Sequence, residues 1–313
     1  MRLIFMGTPD IAVHCLAEIL REGAHQVCAV YTREDKPVGR KQVLTAPPVK
    51  QVAAANGIPV FQPKTLRDGE AARQIAALAP DLIVVVAYGR ILPKEVLALP
   101  RLGAINLHVS LLPKYRGAAP VQWSVIHGDK ETGVTIMQLN EGVDTGDILA
   151  VTPLAIGPEE TSGELFARVT ETGAQTLLAT LHAIERGEAH AVPQDHTQAT
   201  QAPPLTKDQA KFTFAQDAQT LHDLIRGLNP WPVAYFEHEG KKVKVLRAKV
   251  CGGQGAPGTI LAAKPLTVAC GRGALVLEQV VPEGSRPMEG SAWAAGRRFH
   301  EGECLQGAGG GDE

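Results

Sequence analysis

The run Leu82-Ile-Val-Val-Val-Ala87 constrains this chain more than any other stretch: six apolar residues in a row, four of them β-branched. It lacks the apolar/polar alternation of a strand with one wet face. A strand apolar on both faces belongs in the middle of a parallel sheet, where helices cover both sides. Its flanks agree. Glu70–Ala79 has a helical pattern closed by Pro80, and Tyr88-Gly-Arg-Ile-Leu-Pro93 turns the chain afterwards. In open α/β sheets, ligands bind at the carboxyl ends of such strands.

The N-terminal half repeats this pattern. Arg2–Met6 is an apolar strand, Ile11–Arg21 a helix with Asp10 as its expected N-cap, and His25–Thr32 a second buried strand. This is a β-α-β opening. The first turn has one glycine, Gly7, and lacks G-x-G-x-x-G, so a nicotinamide dinucleotide is not expected; a phosphate or carboxylate at that helix start stays open. Val49–Asn56 reads as a helix and Gly57–Phe61 as an extended piece. Gly103–Leu107, Gly133–Leu139 and Ile148–Leu154 read as strands, and Ala119–His127 as a helix. Thr161-Ser-Gly-Glu164 is a capping box opening a helix to Arg186, with Leu165, Val169, Leu177, Leu181 and Ile184 as its buried stripe. Residues 1–188 therefore predict a doubly wound, mostly parallel, Rossmann-like α/β domain.

Residues 189–206 are polar, with Pro193, Pro203 and Pro204, and read as a linker. Beyond them Thr220–Leu228 is a short helix and Asn229-Pro-Trp-Pro232 a stiff turn. Val233–Glu237, Lys241–Val250, Gly258–Ala262, Leu266–Ala269 and Ala274–Val281 are short strands. Such strands over 207–306 predict a small OB-like β-barrel. The tail 307–313 is expected to be disordered. Between Gly240 and Leu277 there is no acidic residue but there are seven basic ones, five of them Lys241, Lys242, Lys244, Arg247 and Lys249. The basic/apolar parity slips between Val245 and Leu246, which predicts a bulge. Such a strand is either a solvated face or a polyanion surface.

The loop Arg33–Pro48 poses the same choice. It carries Arg33, Lys36, Arg40 and Lys41, with Pro37 and Gly39 breaking regular structure. It reads as a solvated insertion or as a mobile basic finger for a polyanion. Net charge over the 313 residues is -2, so nucleic-acid binding would have to rest on local patches like these. The five cysteines are scattered with no C-x-x-C pair, so neither structural zinc nor a disulfide framework is expected, and a reducing cytosol is the default. No apolar run reaches the roughly 18 residues of a membrane span. A cytoplasmic protein is expected, and nothing in the chain demands more than a monomer.

The chemistry concentrates at Asn106-Leu-His108-Val-Ser110-Leu-Leu-Pro113, a polar strand end, and at Asp144 in the loop Asn140–Asp147. Buried polar groups need partners or a task. An Asn amide can bind a developing oxyanion. A His can take or give a proton, and a carboxylate against its ring fixes the tautomer and tunes it. That set suits attack of an amine on an activated acyl group, because the amine brings its own nucleophile. A Ser110/His108/Asp144 hydrolase triad lacks a G-x-S-x-G elbow. A metal site at His108 and Asp144 lacks further ligands at a recognisable spacing. A purely structural strand end remains an alternative at this point.

The run Asn106–Pro113, with Tyr115-Arg-Gly-Ala-Ala-Pro120, Gly133-Val-Thr-Ile-Met-Gln138 and Asp144-Thr-Gly-Asp-Ile-Leu149, resembles the 10-formyltetrahydrofolate-dependent formyltransferases. Phe5–Asp10, Asp35–Arg40, Val84–Gly89 and Asn229–Pro232 extend the resemblance over nearly the whole chain. The basic loop and C-terminal barrel are similar to those of members that formylate initiator methionyl-tRNA. The resemblance implies Asn106, His108 and Asp144 as the catalytic trio. It implies a folate site lined by Ser110, Leu111, Leu112 and Pro113, and a pterin wall at Tyr88, Gly89, Ile91 and Leu92. It puts Arg40 at the position that probes the acceptor end of the tRNA. 10-Formyltetrahydrofolate is the implied co-substrate, with no metal. Val109 stands where relatives often have Gly or Pro, and Lys41 where some have Gly. Family members with a small amine acceptor would need neither the barrel nor the basic loop. A degenerate catalytic domain serving as an RNA-binding module would be expected to lose one of the trio.

Overall fold

The computed structural model describes residues 1–39 and 42–305, with the backbone alone at Val38. Arg40, Lys41 and the tail 307–313 lie outside the described residues. Two compact units emerge. The first comprises 1–117, 132–154 and 167–202; the second comprises 118–131, 155–166 and 203–313. The chain thus passes between units more often than a cut at 188 and 207 implies. Segments 118–131 and 155–166, expected in the N-terminal domain, group with the C-terminal part.

The first unit is built on a seven-stranded sheet. Its order is Ile148–Ala155, Glu131–Gln138, Ala104–His108, Leu82–Val86, Arg2–Gly7, Gln26–Tyr31, Val60–Phe61. The last five run parallel, and Glu131–Gln138 joins Ala104–His108 antiparallel. All five residues of Leu82–Val86 are buried. Strand order reverses around Arg2–Gly7, so its carboxyl edge is the switch point where such folds bind ligands. The helix after Gly7 spans Asp10–Glu22; its N-cap is Pro9, and Asp10 is the first helical residue rather than the cap. Gly7 serves close packing: a Cβ there would lie 2.5 Å from Ala12 Cβ and 2.9 Å from Val86 O.

The described residues of 33–48 are not wholly irregular. Lys36–Val38 and Val43–Thr45 form a two-stranded antiparallel hairpin. Its foot is cross-braced: Lys50 Nζ donates to Asp35 at 2.8 Å, and Gln62 Nε2 donates to Asp35 Oδ1 and to the Arg33 carbonyl, each at 2.7 Å. The segment 189–206 is not a free linker either. Val192 bridges Ile148, Gln201–Ala202 pairs in parallel with Arg116–Gly117, and Gln194 is buried.

The second unit holds an antiparallel sheet in the order Tyr235–His238, Lys241–Cys251, Ala274–Pro282, Leu266–Ala269, Ile260–Ala263, with Met288–Glu289 also paired to Ala274–Pro282. The register between Lys241–Cys251 and Ala274–Pro282 shifts after Val245, where the parity of the sequence slips. Helices Ala218–Gly227 and Gly290–Arg297 belong to this unit; the second has no counterpart in the sequence reading. Its core gathers Phe212, Phe214, Phe236, Leu221, Ile225 and Trp293. The capping box forms as expected: Glu164 N–H donates to Thr161 Oγ1 at 3.2 Å, and Thr161 N–H donates to Glu164 Oε2 at 2.9 Å. Among the described residues, no helix is long and apolar enough to cross a membrane.

Candidate active site

Asn106 and His108 sit two apart on Ala104–His108, so their side chains share one face of the sheet. Leu107 points to the other face and meets the helix Ser162–Glu185, where a Cβ on Gly173 would lie 3.0 Å from Leu107 Cδ1. Met137 and Thr135 stand opposite Asn106 and His108 on the antiparallel neighbour. His108 is 6% exposed and Asn106 half-buried. Among the described residues, the Asn106 side chain has no hydrogen-bond partner.

The His108 ring is oriented by backbone. Nε2 lies 2.8 Å from the Tyr115 carbonyl, which can only accept, so Nε2 carries the hydrogen. Nδ1 faces Asp144 Oδ2 at 3.7 Å, beyond hydrogen-bond length. The tautomer is therefore set by Tyr115, a role that the sequence assigned to Asp144. In the neutral ring Nδ1 holds a lone pair, and once protonated it gains a carboxylate neighbour.

Asp144 is positioned from its own backbone outward. It adopts a left-handed φ of 53°, and its Oδ2 accepts the Gly117 N–H at 2.8 Å. Gln194 Nε2 donates to the Asp144 carbonyl at 3.0 Å and the Gly146 carbonyl at 2.7 Å. Gln194 Oε1 accepts from Arg116 Nη2 at 2.6 Å, and the same nitrogen lies 2.8 Å from His196 Nδ1. Gly146 has no substitute: a Cβ there would fall 1.7 Å from Gln138 O. Gln194 and Arg116 are site residues that the sequence reading missed. The signal for Arg116 was its place in Tyr115–Pro120; Gln194 gave none.

The Ser110–Pro113 turn is braced from within. Thr135 Oγ1 donates to the Ser110 carbonyl at 2.7 Å and accepts from Leu112 N–H at 3.2 Å. Ser110 is fully buried, and its hydroxyl donates to the Lys114 carbonyl at 2.7 Å. Its hydroxyl is thus spent, which removes the hydrolase triad; Leu112 is buried as well, which leaves the half-buried Leu111 and Pro113 as the members that can present a surface.

At the end of Leu82–Val86, the Tyr88 ring is core rather than lining, 1% exposed. Burial pushes its hydroxyl above the ordinary phenol range, while nearby Arg90 and Arg33 oppose that. Gly89 has a φ of 74°, which favours glycine. The Tyr88 and Gly89 carbonyls accept from Thr8 Oγ1 at 3.3 Å and Arg33 Nη1 at 2.7 Å; each keeps a second lone pair for a ligand. Ile91 is 56% exposed beside buried Leu92, and both line a groove of about 430 Å³ with Arg67, Lys94 and Glu141. An exposed apolar side chain at Ile91 and backbone acceptors at Tyr88 and Gly89, on the loop that follows Leu82–Val86, suit a flat heteroaromatic ligand such as a pterin.

The basic candidates separate into two groups. Lys36, Lys241, Lys242, Lys244 and Lys249 are exposed. Lys242 Nζ stands 4.5 Å over the Tyr235 ring. Arg247 is paired with the Glu164 carboxylate, whereas Arg33 donates to the neutral Gly89 carbonyl, which fixes its side chain without cancelling its charge.

The formyl transferase family matches residues 1–181, and the formyl transferase C-terminal domain matches 204–298. A methionyl-tRNA formyltransferase of Myxococcus xanthus is 46% identical over 303 residues, covering 96% of each chain. One from Desulfotalea psychrophila is 47% identical over 303 residues, covering 96% of this chain and 94% of its own. Among solved structures, a Helicobacter canadensis N-formyltransferase in complex with folinic acid and dTDP-3-aminofucose superposes with a TM-score of 0.67 at 17% identity, covering 91% of this chain and 99% of its own. HypX from Aquifex aeolicus in complex with tetrahydrofolic acid does so at 0.63 and 20%, covering 94% of this chain and 47% of its own, so these two speak for the fold alone. Matched over both of its units, the chain belongs to the formyl transferase family.

Proposed function

We propose that this chain moves the formyl group of 10-formyltetrahydrofolate to the α-amine of initiator methionyl-tRNA. The observation that carries the acceptor is coverage. Relatives named for that acceptor match end to end, through the exposed basic strand Lys241–Cys251 as well as the sheet that holds Asn106 and His108. Catalysis is assigned within 1–188 and RNA binding chiefly within 207–306. A monomer suffices, since Asn106, His108 and Asp144 come from one chain, and an aminoacylated tRNA acceptor supports a cytoplasmic enzyme.

The amine attacks the formyl carbon, a C–N bond forms, and the carbonyl electrons move to oxygen. The Asn106 amide, with no partner of its own among the described residues, donates to that oxyanion. One such donor is worth roughly 3–4 kcal/mol. With Nε2 spent on Tyr115, His108 acts through Nδ1. It takes the proton that the amine loses, and as imidazolium beside Asp144 it shares the oxyanion. Collapse breaks the C–N10 bond, N10 takes the proton, and tetrahydrofolate leaves. Asp144 acts on the substrate through the ring it faces. Juxtaposing two bound substrates supplies much of the rate.

The reading is tested by following labelled formyl from 10-formyltetrahydrofolate to methionyl-tRNA, with glycinamide ribonucleotide and an amino-sugar nucleotide as competing acceptors. Label on methionyl-tRNA alone is expected. Label on a small amine, with none on the tRNA, would overturn it.

A further inference from the structure

The foot of the hairpin and the turn at Tyr88–Leu92 are joined by two reciprocal contacts. Arg33 Nη1 donates to the Gly89 carbonyl at 2.7 Å, and Arg90 Nη2 donates to Glu34 Oε2 at 3.0 Å. Consecutive residues of one segment thus hold consecutive residues of the other, each with its own guanidinium. Arg90 also donates to the Lys64 carbonyl, and Gln62 holds the Arg33 carbonyl, so the intervening chain is braced to both. The Glu34–Arg90 pair is partly shielded, with side-chain exposures of 35% and 19%. Glu34 is held below the usual carboxylate range, first by a backbone hydrogen bond and then by the Arg90 charge.

We propose that Arg33, Glu34 and Arg90 are positioning residues forming a clasp that couples folate binding at the Gly89 turn to the paired strands Lys36–Val38 and Val43–Thr45. The inference rests on the folate and tRNA reading above. A ligand accepted by the free lone pair of the Gly89 carbonyl bears on the same atom that anchors Arg33. Displacement of that carbonyl moves Arg33 and Glu34, and with them the hairpin strand that begins at Lys36. Conversely, tRNA that fixes the hairpin fixes the turn. Two sites biasing one braced element are coupled, and the coupling is reciprocal. Arg33 then belongs to the folate side of the enzyme, despite its place in a basic loop.

The experiment uses the full chain. The Kd of 5-formyltetrahydrofolate is measured with and without methionyl-tRNA for wild type, Glu34→Gln, Arg90→Ala, their double variant and Arg33→Ala. Wild type is expected to bind the folate about fivefold tighter with tRNA present. In each variant that ratio falls towards one, and the folate Kd without tRNA rises. The double variant is no worse than Arg90→Ala, because both remove the same ion pair. Glu34→Gln keeps shape and removes only charge, so it reads out even if Arg90→Ala misfolds. The tRNA salt slope stays at the wild-type value in Arg33→Ala; a slope reduced by about one would make Arg33 a phosphate-binding residue and overturn its role. Wild-type coupling retained in Glu34→Gln and Arg33→Ala would overturn the clasp. Failure of wild type to formylate methionyl-tRNA would instead sink the acceptor assignment, which the tRNA-free folate Kd values do not depend on.

Discussion

Gln194→Met tests whether the Asp144 loop is held in place from behind. The substitution keeps length and volume but removes every hydrogen bond of the amide. The Asp144 and Gly146 carbonyls lose donors at 3.0 and 2.7 Å, and Arg116 loses an acceptor at 2.6 Å while keeping its interaction with His196. Gln194 and Arg116 are 6% and 7% exposed, so water replaces little. An unsatisfied buried group costs about 1–3 kcal/mol. Two carbonyls near the lower end, plus a partly compensated guanidinium, sum to roughly 3–5 kcal/mol. Stability is typically about 5–15 kcal/mol, so the variant should fold. Urea denaturation should show the loss as a lower midpoint. Turnover should fall by about 10²-fold, the cost of a roughly 1 Å misplacement of a reacting group. Gln194→Glu separates the two roles: it restores an acceptor for Arg116 yet cannot donate to the carbonyls, so it should recover stability more than turnover. A midpoint within experimental error of wild type, with kcat within twofold, would refute the bracing argument.

Replacing Lys242, Lys244 and Lys249 with Ala should weaken tRNA binding and lower the slope of log K against log salt by about 0.7–0.9 for each phosphate left unneutralised, as read in a filter-binding titration. Arg247→Ala, whose charge is already met by Glu164, should change that slope less. His222 supplies a pH test. Burial pulls its pKa down, but the Asp223 carboxylate 3.6 Å from Nδ1 and the hydrogen bond from Nε2 to Glu159 at 3.0 Å outweigh that and hold it above the ordinary imidazole value. A raised folded-state pKa gives stability that is complete below the unfolded value near 6.5 and is lost as pH rises through the folded value. Thermal denaturation should therefore show stability falling from about pH 6 upward, and His222→Gln should flatten that dependence. An unchanged slope in the variant would place the pH dependence elsewhere.

Leu82–Val86 announced the sheet because two-sided burial writes itself into consecutive apolar residues. Asn106, His108 and Asp144 stood out because polar groups at a strand end and in a glycine-bearing turn need a reason. Other features depend on tertiary packing that leaves no local mark. Gln194 lies among glutamines and threonines that look like solvated chain, and only the packing against Gly146 and Arg116 reveals it. The tautomer of His108 is set by a main-chain carbonyl, and main-chain groups are the same in every sequence. Pro37 and Gly39 looked like breakers, yet Pro37 sits in a two-stranded hairpin and Gly39 takes a φ of 72° next to its first strand. Arg33 reads as part of a basic patch in the sequence, yet its guanidinium donates to the Gly89 carbonyl, a partner 56 residues away that no local pattern marks.

Central to the account is Asn106 as a transition-state donor, and single-turnover formyl transfer to methionyl-tRNA by Asn106→Ala tests it most directly, with both substrates saturating. The rate constant should fall by about 10²–10³-fold while the Kd values for tRNA and folate stay near wild type, because the amide meets charge only in the transition state. A rate within a few-fold of wild type would contradict the assignment and remove Asn106 from the chemistry.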